Sequence, residues 1–114
     1  MFSNFNLKKM ITINNTDNGK KILTKKGDVI KLQLPENPTT GYFWKINAHD
    51  ENHLKLTEKE NEISNKAVGA GGLKTFYFKV MNEGISELQI ALGNPWENDT
   101  VETFNVTIES KNKG

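Results

Sequence analysis

The chain of 114 residues contains no cysteine. That removes disulfides, zinc–thiolate centres and any cysteine nucleophile together, although it does not fix the compartment. An excess of one charge is also missing. Fifteen Lys plus Arg meet 14 Asp plus Glu, leaving a formal net charge of +1. Such a chain has no field for gathering phosphates, so nucleic acid is not expected as a partner. No apolar run approaches the roughly 18 residues that signal a membrane span, so no membrane partner is expected. Long apolar stretches are absent from the first residues too, and no signal peptide is read there.

What is present is a composition of 35% hydrophobic and 25% charged residues, too apolar for disorder to be the first expectation. The length suits one domain over residues 1–114, with an ordered core over about 10–109 and frayed ends, and a monomer is expected. Period two dominates the pattern. Ile30, Leu32 and Leu34 share one face of Asp28–Leu34; Phe76, Phe78 and Val80 share one face of Thr75–Val80. Leu88, Ile90 and Leu92 alternate in Glu87–Leu92, as do Phe104, Val106 and Ile108 in Thr103–Ile108. Alternating β-branched and aromatic residues mark half-buried strands. Met10–Asn14, Lys20–Leu23, Tyr42–Asn47 and Leu54–Glu58 are weaker strand segments, whereas Glu58–Val68 reads as an exposed excursion. Short strands with frequent turn signals predict an all-β fold, an antiparallel sandwich of seven to eight strands.

Three loops carry more than turning requires. In Glu36–Tyr42, Pro38 fixes its own φ and pushes Asn37 toward extended backbone, while Thr39 and Thr40 are stiff at χ1 and Gly41 tolerates unusual φ. This predicts a rigid, convex loop tipped with two hydroxyls; an ordinary inter-strand turn is the plainer alternative. In Val68–Leu73 the glycines of Gly69-Ala70-Gly71-Gly72 leave bare backbone that another chain could pair with. A phosphate-cradling GxxxxGK[ST] does not match, because Leu73 separates Gly72 from Lys74, and a flexible connector is the alternative. In Leu92–Asp99, Trp96 follows Pro95 in a polar setting, and either folds back on the core or stands exposed for a partner. Trp44, on a strand pattern with Tyr42 and Ile46, is expected in the core.

Catalytic signatures are scarce. His49 and His53 in HDENH fit neither HExxH nor HxxEH, and are expected to be solvated imidazoles in a polar loop, with no metal bound. No serine sits in a GxSxG context, so an enzyme is not expected, and no cofactor is implied. Asn14, Asn98 and Asn105 head N-x-[ST] sequences, which are read as unmodified.

NPTTGYFW at 37–44, GAGG at 69–72 and NPW at 94–96, in that order, resemble the three motifs of the chagasin-like inhibitors of cysteine peptidases. The likeness runs from about Ile11 to Ile108. It implies an immunoglobulin-like β-sandwich whose three motif loops gather at one end and enter the active-site cleft of papain-like (cathepsin-type) peptidases. By that resemblance Asn37, Pro38, Thr39, Thr40 and Gly41, with Tyr42 beside them, face the catalytic cysteine and histidine, where the two threonine hydroxyls are available for hydrogen bonds. Gly69, Ala70, Gly71 and Gly72 supply backbone pairing along the cleft, and Pro95 and Trp96 pack on its wall. Asn94 stands where the family commonly has a basic or longer polar residue, which predicts an altered preference among target enzymes. A stiff convex loop cannot straighten into the extended form of a substrate, and its rigidity lowers the ordering cost of association. A non-inhibitory binding or adhesion module on the same sandwich is the competing expectation.

Overall fold

The computed structural model describes residues 9–63, 72–96 and 99–111. Eight strands follow in chain order: β1 Met10–Asn14, β2 Lys21–Lys25, β3 Val29–Glu36, β4 Phe43–Ala48, β5 Leu54–Ile63, β6 Gly72–Val80, β7 Gly84–Asn94 and β8 Asp99–Lys111. They form two four-stranded sheets in the orders β1-β3-β6-β5 and β2-β8-β7-β4. The fold is an immunoglobulin-like β-sandwich.

The alternating residues are what the two sheets bury between them. Ile30, Leu32 and Leu34 on β3, Phe78 and Val80 on β6, Leu88 and Ile90 on β7, and Ile108 on β8 have no accessible surface. Phe76, Phe104 and Val106 are nearly as deep. Each such side chain contributes about 1.5–3 kcal/mol of apolar burial, so the central strands hold the sandwich together. Trp44 joins this core, 3% exposed, as expected.

Pairing is antiparallel through the middle of both sheets: β3 with β6, β6 with β5, β4 with β7, and β7 with β8. Two edge pairs, β1 with β3 and β2 with β8, are parallel. For β1 and β3 the cause is the route of the chain. It leaves the first sheet after β1, forms β2 in the second, and returns running in its original direction.

One expectation is corrected. The stretch from Glu58 to Ile63, read as an exposed excursion, continues β5 against β6, from Glu58 opposite Tyr77 to Ile63 opposite Gly72. A register shift between Leu56 and Glu58 interrupts the pattern, Glu58 and Lys59 beyond it are exposed, and an edge strand has only one neighbour to satisfy. The alternation visible at Leu54 and Leu56 is therefore lost from the sequence while the pairing persists. Residues 64–68 of the same stretch lie outside the described residues.

Candidate functional site

Strand register decides where the motif loops lie. Glu36, the last residue of β3, pairs with Gly72, the first of β6, and Gly72 also pairs with Ile63, the last of β5. In the other sheet, Phe43 at the start of β4 pairs with Gly93 near the end of β7, and Asn94 pairs with Asp99 at the start of β8. The two sets of strand ends are brought together by the short connection from β3 to β4. Its base is pinned by two hydrogen bonds: Trp44 donates its main-chain N–H to Glu36 Oε2 at 2.7 Å and its Nε1–H to the carbonyl of Pro35 at 2.7 Å. All three connections therefore leave and re-enter the sandwich at one pole. Gly69, Ala70 and Gly71 lie outside the described residues; Gly72 opens β6 at this pole.

The first loop is held by its own side chains. Pro38–Thr40 form one turn of 3₁₀ helix. Asn37 Oδ1 accepts the Thr39 N–H at 3.1 Å and the Thr39 hydroxyl at 2.7 Å. The Asn37 carbonyl accepts the Thr40 N–H at 3.1 Å and the Thr40 hydroxyl at 2.8 Å. Thr40 Oγ1 in turn accepts the Tyr42 N–H at 3.3 Å. Such side-chain-to-backbone bonds replace the ladder partners a turn lacks. Gly41 closes the loop at φ +82, in the left-handed region that glycine occupies without penalty. The threonine hydroxyls, expected to reach outward, are committed as donors inside the loop, because Asn37 offers two acceptors within reach.

The third loop resolves the question of Trp96. It is 76% exposed, beyond the other exposed large hydrophobic residues among those described. Asn94 Oδ1 accepts the Trp96 N–H at 2.7 Å, so Asn94 ties down the Pro95-Trp96 turn. Two further residues at this pole carry no motif signal. Glu36, 7% exposed, is a buried carboxylate serving Trp44. Val101, 52% exposed, is the extra residue of a bulge in β8, between Thr100 opposite Gly93 and Glu102 opposite Leu92. A lone acidic residue on the inward face of β3, and an alternation that slips by one in β8, are the signals that were there to find.

The histidines lie elsewhere, and the expectation of solvated imidazoles is corrected for one of them. His53 is 4% exposed, at the opposite pole, where its Nδ1 meets Ser86 Oγ at 2.5 Å and its Nε2 meets Ser110 Oγ at 2.8 Å. Ser110 Oγ lies 2.6 Å from Thr24 Oγ1, which donates to the carbonyl of Glu109 at 3.2 Å. Since that carbonyl only accepts, the Thr24 oxygen takes the Ser110 proton, and Ser110 takes the Nε2 proton of His53. The chain of bonds ties the turn just before β5 in one sheet to β7, β8 and β2 in the other. Burial lowers the pKa of His53 below 6.5, partly opposed by the Asp50 carboxylate. His49 sets its ring edge-on to Phe78, with centroids 5.6 Å apart. Among the described residues, no group of His, Asp or Glu is placed to hold a metal ion.

Comparison with known proteins bears on the fold and the family. The model of the chagasin family of peptidase inhibitors (I42) matches residues 24–108. Chagasin of Trypanosoma cruzi is 26% identical over 99 residues, covering 82% of this chain and 90% of chagasin. The cysteine protease inhibitor EhICP2 of Entamoeba histolytica superposes with a TM-score of 0.83 at 17% identity, over 91% of this chain and 97% of that one. PbICP-C, solved in complex with falcipain-2, superposes with a TM-score of 0.63 at 12% identity, over 97% of this chain and 96% of that one. At such identities the two structural likenesses speak to the fold alone.

Proposed function

The chain belongs to the chagasin family; it is an inhibitor of cysteine peptidases and not an enzyme, and we propose that it acts by seating the three-loop pole in the cleft of a papain-like peptidase. The observation that carries this reading is the exposed Trp96 at the same pole as the internally braced Asn37–Tyr42 loop. A tryptophan held out in water has no role in the fold, and aromatic residues of this kind anchor interfaces.

In this reading Asn37, Pro38, Thr39, Thr40, Gly41 and Tyr42 form the central wedge over the catalytic cysteine and histidine. Gly69–Gly72 offer backbone along one side of the cleft, and Asn94, Pro95 and Trp96 cover the other wall. The braced turn keeps its peptide bonds out of the extended alignment that cleavage requires. Blockade then needs no chemistry from the inhibitor, and the loop enters already ordered, which lowers the entropy lost on binding. Loops of this extent cover about 800 Å² per partner in a complex of standard size.

The test is titration of active-site-quantified papain with a fluorogenic substrate. Stoichiometric, reversible loss of activity, with the inhibitor recovered uncut, is the expected result. No effect on several papain-like enzymes at micromolar concentration would leave the sandwich as a non-inhibitory binding module.

A further inference from the structure

The hydrogen bonds inside the first loop settle where its hydroxyl protons point. Asn37 Oδ1 receives a main-chain N–H, that of Thr39, so the atom in that place is the oxygen and not the amide nitrogen. A carbonyl oxygen only accepts. The Thr39 hydroxyl, 2.7 Å away, therefore gives its proton inward, and the Thr40 hydroxyl, 2.8 Å from the Asn37 carbonyl, does the same. Thr40 Oγ1 also accepts the Tyr42 N–H. Thr39 is exposed, and among the described residues nothing donates to its oxygen. What Thr39 turns outward is lone pairs, with no O–H among them.

We propose that this tip reads the protonation state of its target, pairing Thr39 Oγ1 with a protonated imidazole N–H and not with the thiolate. The proposal rests on the inhibitor reading above. A thiolate wants hydrogen-bond donors and is repelled by lone pairs, whereas an imidazolium is donor-only at both nitrogens. Papain-like peptidases at rest hold their cysteine as a thiolate beside a protonated histidine. An acceptor tip fits that charged pair on its cationic side. When the cysteine is capped as a neutral thioether, the imidazole loses its counter-charge and, near neutral pH, its proton; the tip then loses a charge-assisted bond. The inhibitor accordingly prefers the free-thiolate, active form of the enzyme over one whose cysteine is alkylated.

The experiment uses the full inhibitor and a papain-like peptidase whose catalytic cysteine is replaced by alanine, so that the lone imidazole titrates near its ordinary value. Binding is measured calorimetrically from about pH 8 to about pH 5. Affinity is expected to tighten about tenfold as the imidazole gains its proton, the size of one hydrogen bond to a charged partner. Thr39→Ser keeps that slope and Thr39→Val removes it. The readout is a slope, so a general weakening of Thr39→Val through a looser loop does not imitate it. Glu36, Tyr42, Lys45, Lys59, Glu60, Glu62, Lys74, Asp99 and Glu102 stand at or near the strand ends of this pole, and they are the same in every variant. A slope that survives in Thr39→Val, or tight binding with no slope in the parent, overturns the inference alone. No binding at any pH, with the protein folded, overturns the inhibitor reading beneath it.

Discussion

The carboxylate of Glu36 accepts the main-chain N–H of Trp44 across the two sheets at 2.7 Å. That one contact fixes the angle at which the chain leaves β3 and enters β4, and so aims the loop between them. Trp44 reinforces it by donating its ring N–H to the Pro35 carbonyl.

Replacing Glu36 by Leu leaves the buried Trp44 N–H without an acceptor. The expected loss is about 1–3 kcal/mol of stability in urea denaturation, with weaker inhibition because the wedge is no longer aimed. Glu36→Gln keeps an acceptor oxygen and should lose less on both measures. Equal losses in the two variants would mean that the charge, and not the bond, matters.

Gly41→Ala tests the turn. Its φ is +82, and a Cβ there would meet no atom within 4 Å, so the penalty is backbone strain and not crowding. About 1–2 kcal/mol is expected. Gly41→Asn should lose less, because Asn adopts left-handed backbone more readily than Ala. The order Ala worse than Asn in thermal denaturation supports the account; the reverse order contradicts it.

Trp96→Ala should weaken inhibition by about 2 kcal/mol or more, roughly thirtyfold in the inhibition constant. Stability should hardly change, because the side chain is 76% exposed. Asn94→Ala removes the bond to the Trp96 N–H and should weaken inhibition by a smaller amount, about 1 kcal/mol, by loosening the turn that presents the ring. An unchanged inhibition constant for Trp96→Ala would remove the anchor from the account.

His53 makes stability depend on pH. Burial lowers its pKa below 6.5, so the unfolded chain binds the proton more readily than the folded one. Stability is therefore full above pH 6.5 and falls as the pH drops from there through the lowered folded value. Denaturation followed from about pH 8 to about pH 5 should show the decline. His53→Gln, which does not titrate, should show less of it.

Much of this was legible in the sequence. Residues such as Ile30, Leu32, Leu34, Phe76 and Phe78 alternate because both sheets bury one face only, and that signal survives without any knowledge of the partner strand. The motif loops were legible as motifs, and their arrival at one pole follows once register is known. Other features depend on neighbours distant in sequence. Trp96 carries no local mark of its exposure, since tryptophans in loops cover cores as readily as they stand out from them. His53 looked solvated because its partners, Ser86 and Ser110, stand far along the chain. The pairing of Glu58–Ile63 was hidden because it follows a bulge that breaks the alternation set by Leu54 and Leu56. The inward commitment of the Thr39 and Thr40 hydroxyls follows from a turn geometry that composition does not specify.

The central claim is that one pole of the sandwich, and no other part of it, meets the peptidase. Hydrogen exchange of the inhibitor, free and saturated with a papain-like enzyme, measures this residue by residue. New protection is expected at Gly41, at Gly72 and at Trp96, with none at His53, Ser86 or Ser110. Protection concentrated at the His53 pole, with Gly41 and Trp96 exchanging as in the free protein, would contradict the account.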